Sequence, residues 1–307
     1  MNKTSNMKRR EFNAGLIGAA LAAALLGCAT VAKQGKEGKL TAVDTHAHIF
    51  KSGLKLANAR RYAPDYEAPL EDYLAMLDRH DIARGVLVQP SFLGTDNSFM
   101  LAALRQAPAR LRGIAVVDPA ASPAELDALD AAGVVGVRLN LVGTPLPDFS
   151  TALWRDFLKQ VARLDWQVEV HREAHDLPLI LPLLLRAGVN VVVDHFGRPD
   201  PKLGVNDPGF RYLLDAAASR RVWVKLSAAY RNGPDGAGEQ TALAAIPLLR
   251  NAFGMERLMW GSDWPHTQFE KSVNYDRART LLDSWLPDPA ERRIVLADTP
   301  SGLFRFL

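Results

Sequence analysis

Short apolar runs alternate with longer amphipathic segments along most of this chain. The runs are apolar at successive positions, which is typical of strands buried on both faces of a parallel sheet. They lie near residues 40–46, 84–89, 112–117, 134–139, 166–170, 190–194, 221–226 and 257–262. The pattern therefore predicts eight strands with helical segments between them.

The segments between these runs have the 3.6-residue spacing of helices. Residues 70–79, for example, place three leucines on one face. The stretch Ser122-Pro123-Ala124-Glu125 indicates an N-cap, a proline at the first helical position and a capping-box glutamate. Further helices are predicted over residues 151–164, 179–187, 210–218, 240–253 and 273–285.

Eight such alternations predict a fold of the α/β class, a closed (β/α)8 (TIM) barrel that forms one domain over residues 40–307. An open doubly wound sheet is the competing architecture, but no Gly-x-Gly-x-x-Gly follows an early strand. The longest irregular stretches follow predicted strands, at residues 49–68, 141–149, 196–208 and 228–239. In a barrel of this kind, such loops form the active-site face.

Residues 1–39 have the pattern of an export signal and a tether. Two arginines in Lys8–Phe12 precede an uncharged apolar stretch from Leu16 to Leu26, as in a twin-arginine signal peptide. Cys28 follows Leu-Leu-Gly, which resembles a bacterial lipobox. We expect export to the periplasm and membrane anchoring through a lipid on Cys28, with cleavage by an ordinary signal peptidase as the alternative.

The positive charge of the chain belongs to this first segment. The whole sequence carries a formal charge of +3, and residues 1–39 contribute seven basic and two acidic side chains. The remaining residues hold 30 basic and 32 acidic side chains, a net charge of −2. No basic stripe with interleaved aromatic residues is present, so the composition argues against a nucleic-acid partner. The single cysteine excludes an internal disulfide.

Polar side chains with catalytic chemistry stand where the predicted strands end. Four of the seven histidines and one aspartate occupy such positions: His46, His48, His171, His195 and Asp263. Residues i and i+2 of a strand point to the same side, so His46 and His48 project together. Because the carboxyl ends of barrel strands share one rim, we expect all five side chains to meet around a functional site there.

Several motifs together resemble the amidohydrolase superfamily, and more narrowly its lactonase branch, typified by 2-pyrone-4,6-dicarboxylate lactonase and sugar-acid lactonases. The motifs are Asp44-Thr45-His46-Ala47-His48, Gly94-Thr95-Asp96-Asn97, residues 113–119, residues 193–199, Lys225-Leu226-Ser227, residues 260–266 and residues 296–300. The similarity runs from about residue 41 to the end of the chain. It implies a TIM barrel enzyme that opens a lactone, a cyclic ester, of a small substrate bearing carboxylate or hydroxyl groups.

The sequence departs from these relatives at two places. Arg138 stands at the end of strand 4, where binuclear members carry a carboxylated lysine or a glutamate, so a two-metal site is not expected. Dicarboxylate lactonases of this branch carry a tyrosine where this chain has His171. They also have a second arginine soon after strand 4, where this chain has Thr144-Pro145-Leu146-Pro147. The resemblance therefore does not fix the substrate.

The resemblance implies that Asp263 activates a water as general base and returns the proton to the leaving oxygen. His195, with His46 and His48, would polarise the lactone carbonyl as further catalytic residues. His46, His48, His171 and Asp263 offer the nitrogen and oxygen ligands of one divalent metal ion, for which zinc is the expected choice. Polarisation by the imidazoles without a metal is the alternative.

Three residues are predicted to bind the substrate. Arg138 offers a carboxylate the fork of its guanidinium, and the loop residues Arg231 and Tyr62 resemble those of dicarboxylate lactonases. Two other functions stay open at this point. One is a non-oxidative decarboxylase of an aromatic or unsaturated acid, since related barrels use the same histidines and aspartate. The other is a non-catalytic lipoprotein that binds a small acid at the cell envelope.

Overall fold

The computed structural model describes residues 42–306, and eight parallel strands form its centre. They pair in chain order, so each strand lies beside the next one in the sequence. Their bounds are β1 Val43–Ala47, β2 Arg84–Val88, β3 Leu111–Ala115, β4 Val134–Asn140, β5 Gln167–His171, β6 Asn190–Val193, β7 Val222–Ser227 and β8 Leu258–Gly261. The predicted (β/α)8 architecture is confirmed as eight parallel strands in a nearly closed barrel. The predicted export signal, including Cys28, lies outside the described residues and stays a prediction.

Helices follow the strands and surround them. Their bounds are α1 Leu70–Arg79, α2 Ser98–Gln106, α3 Pro123–Ala131, α4 Ala152–Arg163, α5 Leu177–Arg186, α6 Pro208–Ala216, α7 Ala237–Phe253, α8 Tyr275–Trp285, α9 Pro289–Arg293 and α10 Thr299–Leu303. The capping box at the start of α3 is confirmed, because Ser122 Oγ accepts from the Glu125 N–H at 3.3 Å and Glu125 Oε2 accepts from the Ser122 N–H at 2.7 Å. Within residues 42–306, no helix combines the length and apolar character needed to span a bilayer.

Sequence patterning missed helix α2. Its segment begins with a nearly unbroken apolar run from Phe99 to Leu104, which has no 3.6-residue period. Asn97, at the N-cap position, makes no side-chain capping bond, because its amide groups bond elsewhere in the loop and with Val116. The segment therefore lacks the periodic helix signal, and Asn97, a residue type typical of N-caps, was the one signal present.

The interior of the barrel is apolar toward the amino-terminal ends of the strands. Phe304 and Phe306, after the last helix, complete this cluster. The strand side chains in it are Val43, Val86, Val88, Ile114, Val135, Val192 and Met259. A second and larger apolar core fills the space between the strands and the surrounding helices.

Further along the strands the interior becomes charged. Four buried residues form what we call the charged layer: Arg138, Glu169, Asp194 and Lys225. Lys225 Nζ lies 2.6 Å from Glu169 Oε1 and 3.5 Å from Asp194 Oδ1, while Arg138 Nη2 lies 3.2 Å from Asp194 Oδ2. Two cations face two carboxylates, so the layer compensates its own charge, as buried charges require.

Strand β1 meets β8 and the residues that follow it at a seam, which also carries the polar rim. The Asp263 N–H donates to the His46 carbonyl at 2.8 Å, and the His48 N–H donates to the Trp264 carbonyl at 2.7 Å. A Cβ placed on Gly261 would stand 2.6 Å from His46 Cβ and 2.9 Å from His46 N. Only glycine therefore lets the two strands approach closely at this point.

We predict that Gly261→Ala destabilises the protein by about 1–3 kcal/mol, because the added methyl group must displace the backbone of β1. Urea unfolding of the variant and the wild type measures the difference. Gly302→Ala is the matched control, since no atom lies within 4 Å of its added Cβ and the residue is helical. It should change the free energy of unfolding by no more than about 1 kcal/mol. Unchanged stability in Gly261→Ala would show that the seam has room for a side chain.

Candidate active site

Asp263 lies at the centre of the polar rim and is fully buried. Its Oδ1 atom is 3.6 Å from His46 Nε2, 3.6 Å from His48 Nε2 and 4.0 Å from His195 Nε2. The structure thus brings together residues that come from β1, the turn after β6 and the end of β8. These are the four residues that the sequence singles out as catalytic.

The backbone turns sharply at two of these positions. His195, directly after Asp194 at the end of β6, has φ of 52°, and Asp263, after β8, has φ of 61°. Both values lie in the left-handed region, which costs a non-glycine residue about 1–3 kcal/mol. Ending the strands in this conformation aims both side chains over the mouth of the barrel.

The second oxygen of Asp263 is fully engaged. Arg231 Nε donates to Oδ2 at 2.7 Å, and the Tyr230 hydroxyl donates to the same atom. Burial opposes the ionisation of Asp263, but the positive charge of Arg231 and the contributions of His195, His48 and His46 together outweigh it and hold the pKa well below the ordinary 3.8. Asp263 is therefore a carboxylate whose Oδ1 remains available to react.

The surrounding imidazoles are neutral. Burial lowers the pKa of His46 and His48 below the ordinary 6.5, and it lowers the pKa of His195 to about 3. His48 Nδ1 donates to the Val88 carbonyl at 2.7 Å, which leaves a lone pair on its Nε2. His195 Nδ1 lies 2.8 Å from Ser227 Oγ, so its Nε2 also points away from that bond toward Asp263.

This arrangement fits one metal ion. His48 Nε2 and Asp263 Oδ1 are both acceptors, yet they face each other at 3.6 Å with no hydrogen between them. Asp263 Oδ1, His46 Nε2 and His195 Nε2 are buried and have no hydrogen-bond partner within the described residues. The ligand atoms of His46, His48 and Asp263 lie within 4.8 Å of one another. A divalent cation or a water between them would satisfy these atoms.

His171 has a different environment from the other histidines. Its Nδ1 lies 3.1 Å from Arg138 Nη2, and its Nε2 lies 3.2 Å from Arg198 Nη1. Among the described residues, the groups whose ligand atoms could share an ion contain His46 with His48 and Asp263, or with Asp194 and His195, but not His171. Both ring nitrogens thus face guanidinium groups, which differs from the expected role as a metal ligand.

A cavity of about 200 Å³ opens above Asp263. The three residues predicted to bind substrate, Arg138, Arg231 and Tyr62, all line it. Arg138 is also tied to the charged layer, and the Tyr62 hydroxyl lies 3.1 Å from Thr267 Oγ1. Arg231 also donates a hydrogen bond to Asp263, a role that the sequence did not indicate.

Three further residues at this site were missed by sequence reasoning: Arg61 and Arg198, which line the cavity, and Tyr230, which bonds Asp263. Each lies in a loop after a strand, next to or near a residue that was identified. Arg61 precedes Tyr62, Arg198 follows His195 by three positions, and Tyr230 precedes Arg231. The sequence does show an arginine or a tyrosine in each of these loops. It does not show where a loop side chain points.

The cavity carries more positive than negative charge. Four arginines line it, and Asp263 is the single carboxylate in its wall. Arg138 pairs with Asp194 and Arg231 pairs with Asp263. Arg198 has only Glu173 at 4.0 Å, and Arg61, bonded to Asn140 Oδ1 at 3.3 Å, has no carboxylate within 4 Å in residues 42–306.

Comparisons with known proteins agree with the motifs. The amidohydrolase family model matches residues 43–306 of this chain. A 4-sulfomuconolactone hydrolase of Rhizobium radiobacter is 34% identical over 269 residues, which cover 85% of this chain and 89% of that protein. A 2-pyrone-4,6-dicarboxylate hydrolase of Comamonas testosteroni is 34% identical over 281 residues, which cover 86% of this chain and 90% of that protein.

Solved structures extend this similarity to the fold. A probable 2-pyrone-4,6-dicarboxylic acid hydrolase from Acinetobacter baumannii, with citric acid bound, has a TM-score of 0.84 and 41% sequence identity to this chain. The match covers 87% of this chain and all of that one. The predicted resemblance to lactonase-type members is confirmed by these matches. The chain belongs to the amidohydrolase family.

Proposed function

We propose that the protein hydrolyses a lactone that carries two anionic groups. The observation that carries this proposal is the position of Asp263 Oδ1, free of hydrogen bonds and surrounded by three imidazoles beneath a cavity with four arginines. A free buried carboxylate oxygen is what a general base needs, and clustered guanidinium groups favour anions. The names of the two 34%-identical relatives also describe hydrolases of anionic lactones.

The reaction begins with a water held between Asp263 Oδ1 and the imidazoles. Oδ1 accepts a proton from this water as its oxygen bonds to the lactone carbonyl carbon. The bond between that carbon and the ring oxygen then breaks, and Asp263 returns the proton to the departing oxygen. The product is the open hydroxy acid or its keto form, and Asp263 is again ionised.

Negative charge develops on the carbonyl oxygen during this step, and the site must stabilise it. If the Ser227 hydroxyl donates to His195 Nδ1, the N–H at His195 Nε2 points to the centre and donates to that oxygen. His46, His48 and Asp263 would hold a zinc ion, which would supply Lewis-acid polarisation of the carbonyl. In the alternative without a metal, the N–H group at His195 Nε2 and, if Lys225 donates to His46 Nδ1, the N–H group at His46 Nε2 provide the polarisation.

The two other functions predict different products. A decarboxylase would release carbon dioxide from an aromatic acid, and a binding lipoprotein would retain an acid without changing it. Incubation with 2-pyrone-4,6-dicarboxylate, 4-sulfomuconolactone and the uncharged γ-butyrolactone separates lactone hydrolysis from both of these functions. We expect ring opening of a charged lactone, measured by ultraviolet absorbance and base uptake, at a rate far above that of γ-butyrolactone.

Replacing the base should slow the reaction strongly. We predict that Asp263→Asn lowers kcat by about 10²–10⁴-fold, because the amide cannot accept the water proton. Asp235→Asn is the control, since Asp235 is an exposed acid in the loop after β7 that also contains Arg231. Steady-state rates with the best charged lactone measure both variants. Wild-type turnover in Asp263→Asn would contradict the assignment of the base.

The neutrality of the histidines is testable in the absence of a metal. Because burial lowers the pKa values of His46, His48 and His195, protonation of these rings is shifted to lower pH than usual. We predict that in chelator-treated protein all three rings titrate below the ordinary 6.5, and that the ring C–H NMR signals of His195, whose pKa is lowered to about 3, stay constant from about pH 5 to 8. Single His→Gln variants assign the signals. A midpoint near 6.5 for any of the three rings would contradict the account.

A further inference from the structure

The two ring nitrogens of His171 cannot both form hydrogen bonds with the groups that they face. A neutral imidazole has one N–H donor and one acceptor nitrogen, whereas a guanidinium group has donors only. His171 places one ring nitrogen against Arg138 and the other against Arg198, at 3.1 and 3.2 Å. One of these contacts therefore sets a ring N–H against a guanidinium N–H. A protonated ring would make both contacts unfavourable, so the imbalance holds in either charge state.

The unfavourable contact is the one with Arg198. Arg138 is almost fully buried, and its Nη2 has two acceptors, Asp194 Oδ2 at 3.2 Å and His171 Nδ1 at 3.1 Å. With Nδ1 as the acceptor, both protons of Nη2 are bonded, whereas the other tautomer would leave one of them unpaired at Arg138, which costs more there than at the partly exposed Arg198. With Nδ1 of His171 as the acceptor, its Nε2 carries the proton, and this N–H faces Arg198 Nη1.

Arg198 itself has donors to spare. Its Nε is buried without a hydrogen-bond partner within the described residues, and its carboxylate neighbour Glu173 is 4.0 Å away. The side chain is 19% exposed and lines the cavity. Burial and the nearby charges of Arg231 and Arg61 lower the pKa of Arg198, although Glu173 acts in the opposite direction. An anion in the cavity would relieve this repulsion.

We propose that His171 and Arg198 form a subsite for the second anionic group of the substrate, a carboxylate or a sulfonate. An oxyanion there accepts from the Nε2–H of His171 and from the guanidinium of Arg198, and so converts two opposed donors into two hydrogen bonds. This inference rests on the proposed function and specifies how the substrate is held. It also gives His171 a role as hydrogen-bond donor instead of metal ligand.

This chain has Thr144-Pro145-Leu146-Pro147 after strand 4, so the arginine of the subsite does not come from that loop. Arg198 comes from the loop after β6 and reaches His171 at the end of β5, so the positive charge arrives from a different strand. Carboxylate and sulfonate share the oxygen acceptors that this pair of donors needs. Parallel assays with 2-pyrone-4,6-dicarboxylate and 4-sulfomuconolactone distinguish which group fits better.

The test combines enzyme variants with substrates of different charge. We expect Arg198→Gln and His171→Phe to lower kcat/KM for 2-pyrone-4,6-dicarboxylate by about 10- to 100-fold, the usual effect of losing one charge-assisted hydrogen bond. The ratio of kcat/KM for the diacid to that for 2-pyrone-6-carboxylate should fall at least about tenfold. His171→Gln keeps an N–H donor and should recover part of the loss. Arg211→Gln, at an exposed position of α6, is the control.

Binding without turnover provides a second measurement. Isothermal titration with citrate should give a Kd about 10- to 100-fold higher in Arg198→Gln than in the wild type. Zinc titration of His171→Phe should keep the wild-type stoichiometry, because His171 is not a ligand in this account. Circular dichroism shows whether each variant folds, and Arg198→Gln, in a loop, tests the subsite even if His171→Phe fails to fold.

The outcomes separate this inference from the proposed function. If the wild type binds citrate through Arg198 but opens no lactone, the subsite stands and the hydrolytic function is wrong. If the wild type opens lactones while Arg198→Gln leaves both the citrate Kd and the diacid preference unchanged, the subsite is wrong. Loss of zinc from folded His171→Phe would also overturn it, since His171 would then be a ligand.

Discussion

The site depends on a carboxylate that stays ionised although it is completely buried. An unpaired Asp263 in this position would take up a proton, because burial strongly disfavours its charged form. Arg231 and Tyr230 prevent this by bonding one carboxylate oxygen. The other oxygen is left without a partner and faces the imidazoles. The bonds to one oxygen of Asp263 therefore keep the carboxylate ionised, and the other oxygen is available for the reaction.

The charged layer links this centre to the fold. His46 Nδ1 lies 3.1 Å from the donor Lys225 Nζ and 3.4 Å from the acceptor Asp194 Oδ1. If Asp194 accepts from His46 Nδ1, the Nε2 lone pair is free for a cation. If Lys225 donates to Nδ1, the proton sits on Nε2 and the ring becomes a donor. The hydrogen bond that His46 Nδ1 makes with the charged layer therefore determines whether His46 Nε2 can bind a metal ion or instead donates a hydrogen bond.

The sequence predicted those parts of the site that strands position. His46, His48, His195 and Asp263 stand at strand ends, and parallel strands of a barrel bring their ends to one rim whatever the loops do. Direction in a loop depends on tertiary contacts, so Arg198 and the role of Arg231 in holding the base could not be read from spacing. The metal-binding role of His171 stays a prediction, and its contacts with two guanidinium groups could not be predicted, because sequence does not show which side chains flank the ring.

A crystal structure of the purified protein with citrate, including anomalous scattering data at the zinc edge, tests the central claim most directly. The account predicts one peak, a metal ion or a water, bonded to Asp263 Oδ1 and His48 Nε2, with Arg231 still on Oδ2. It would be contradicted by a structure in which Asp263 Oδ1 is bonded to a protein donor or points away from the three imidazoles.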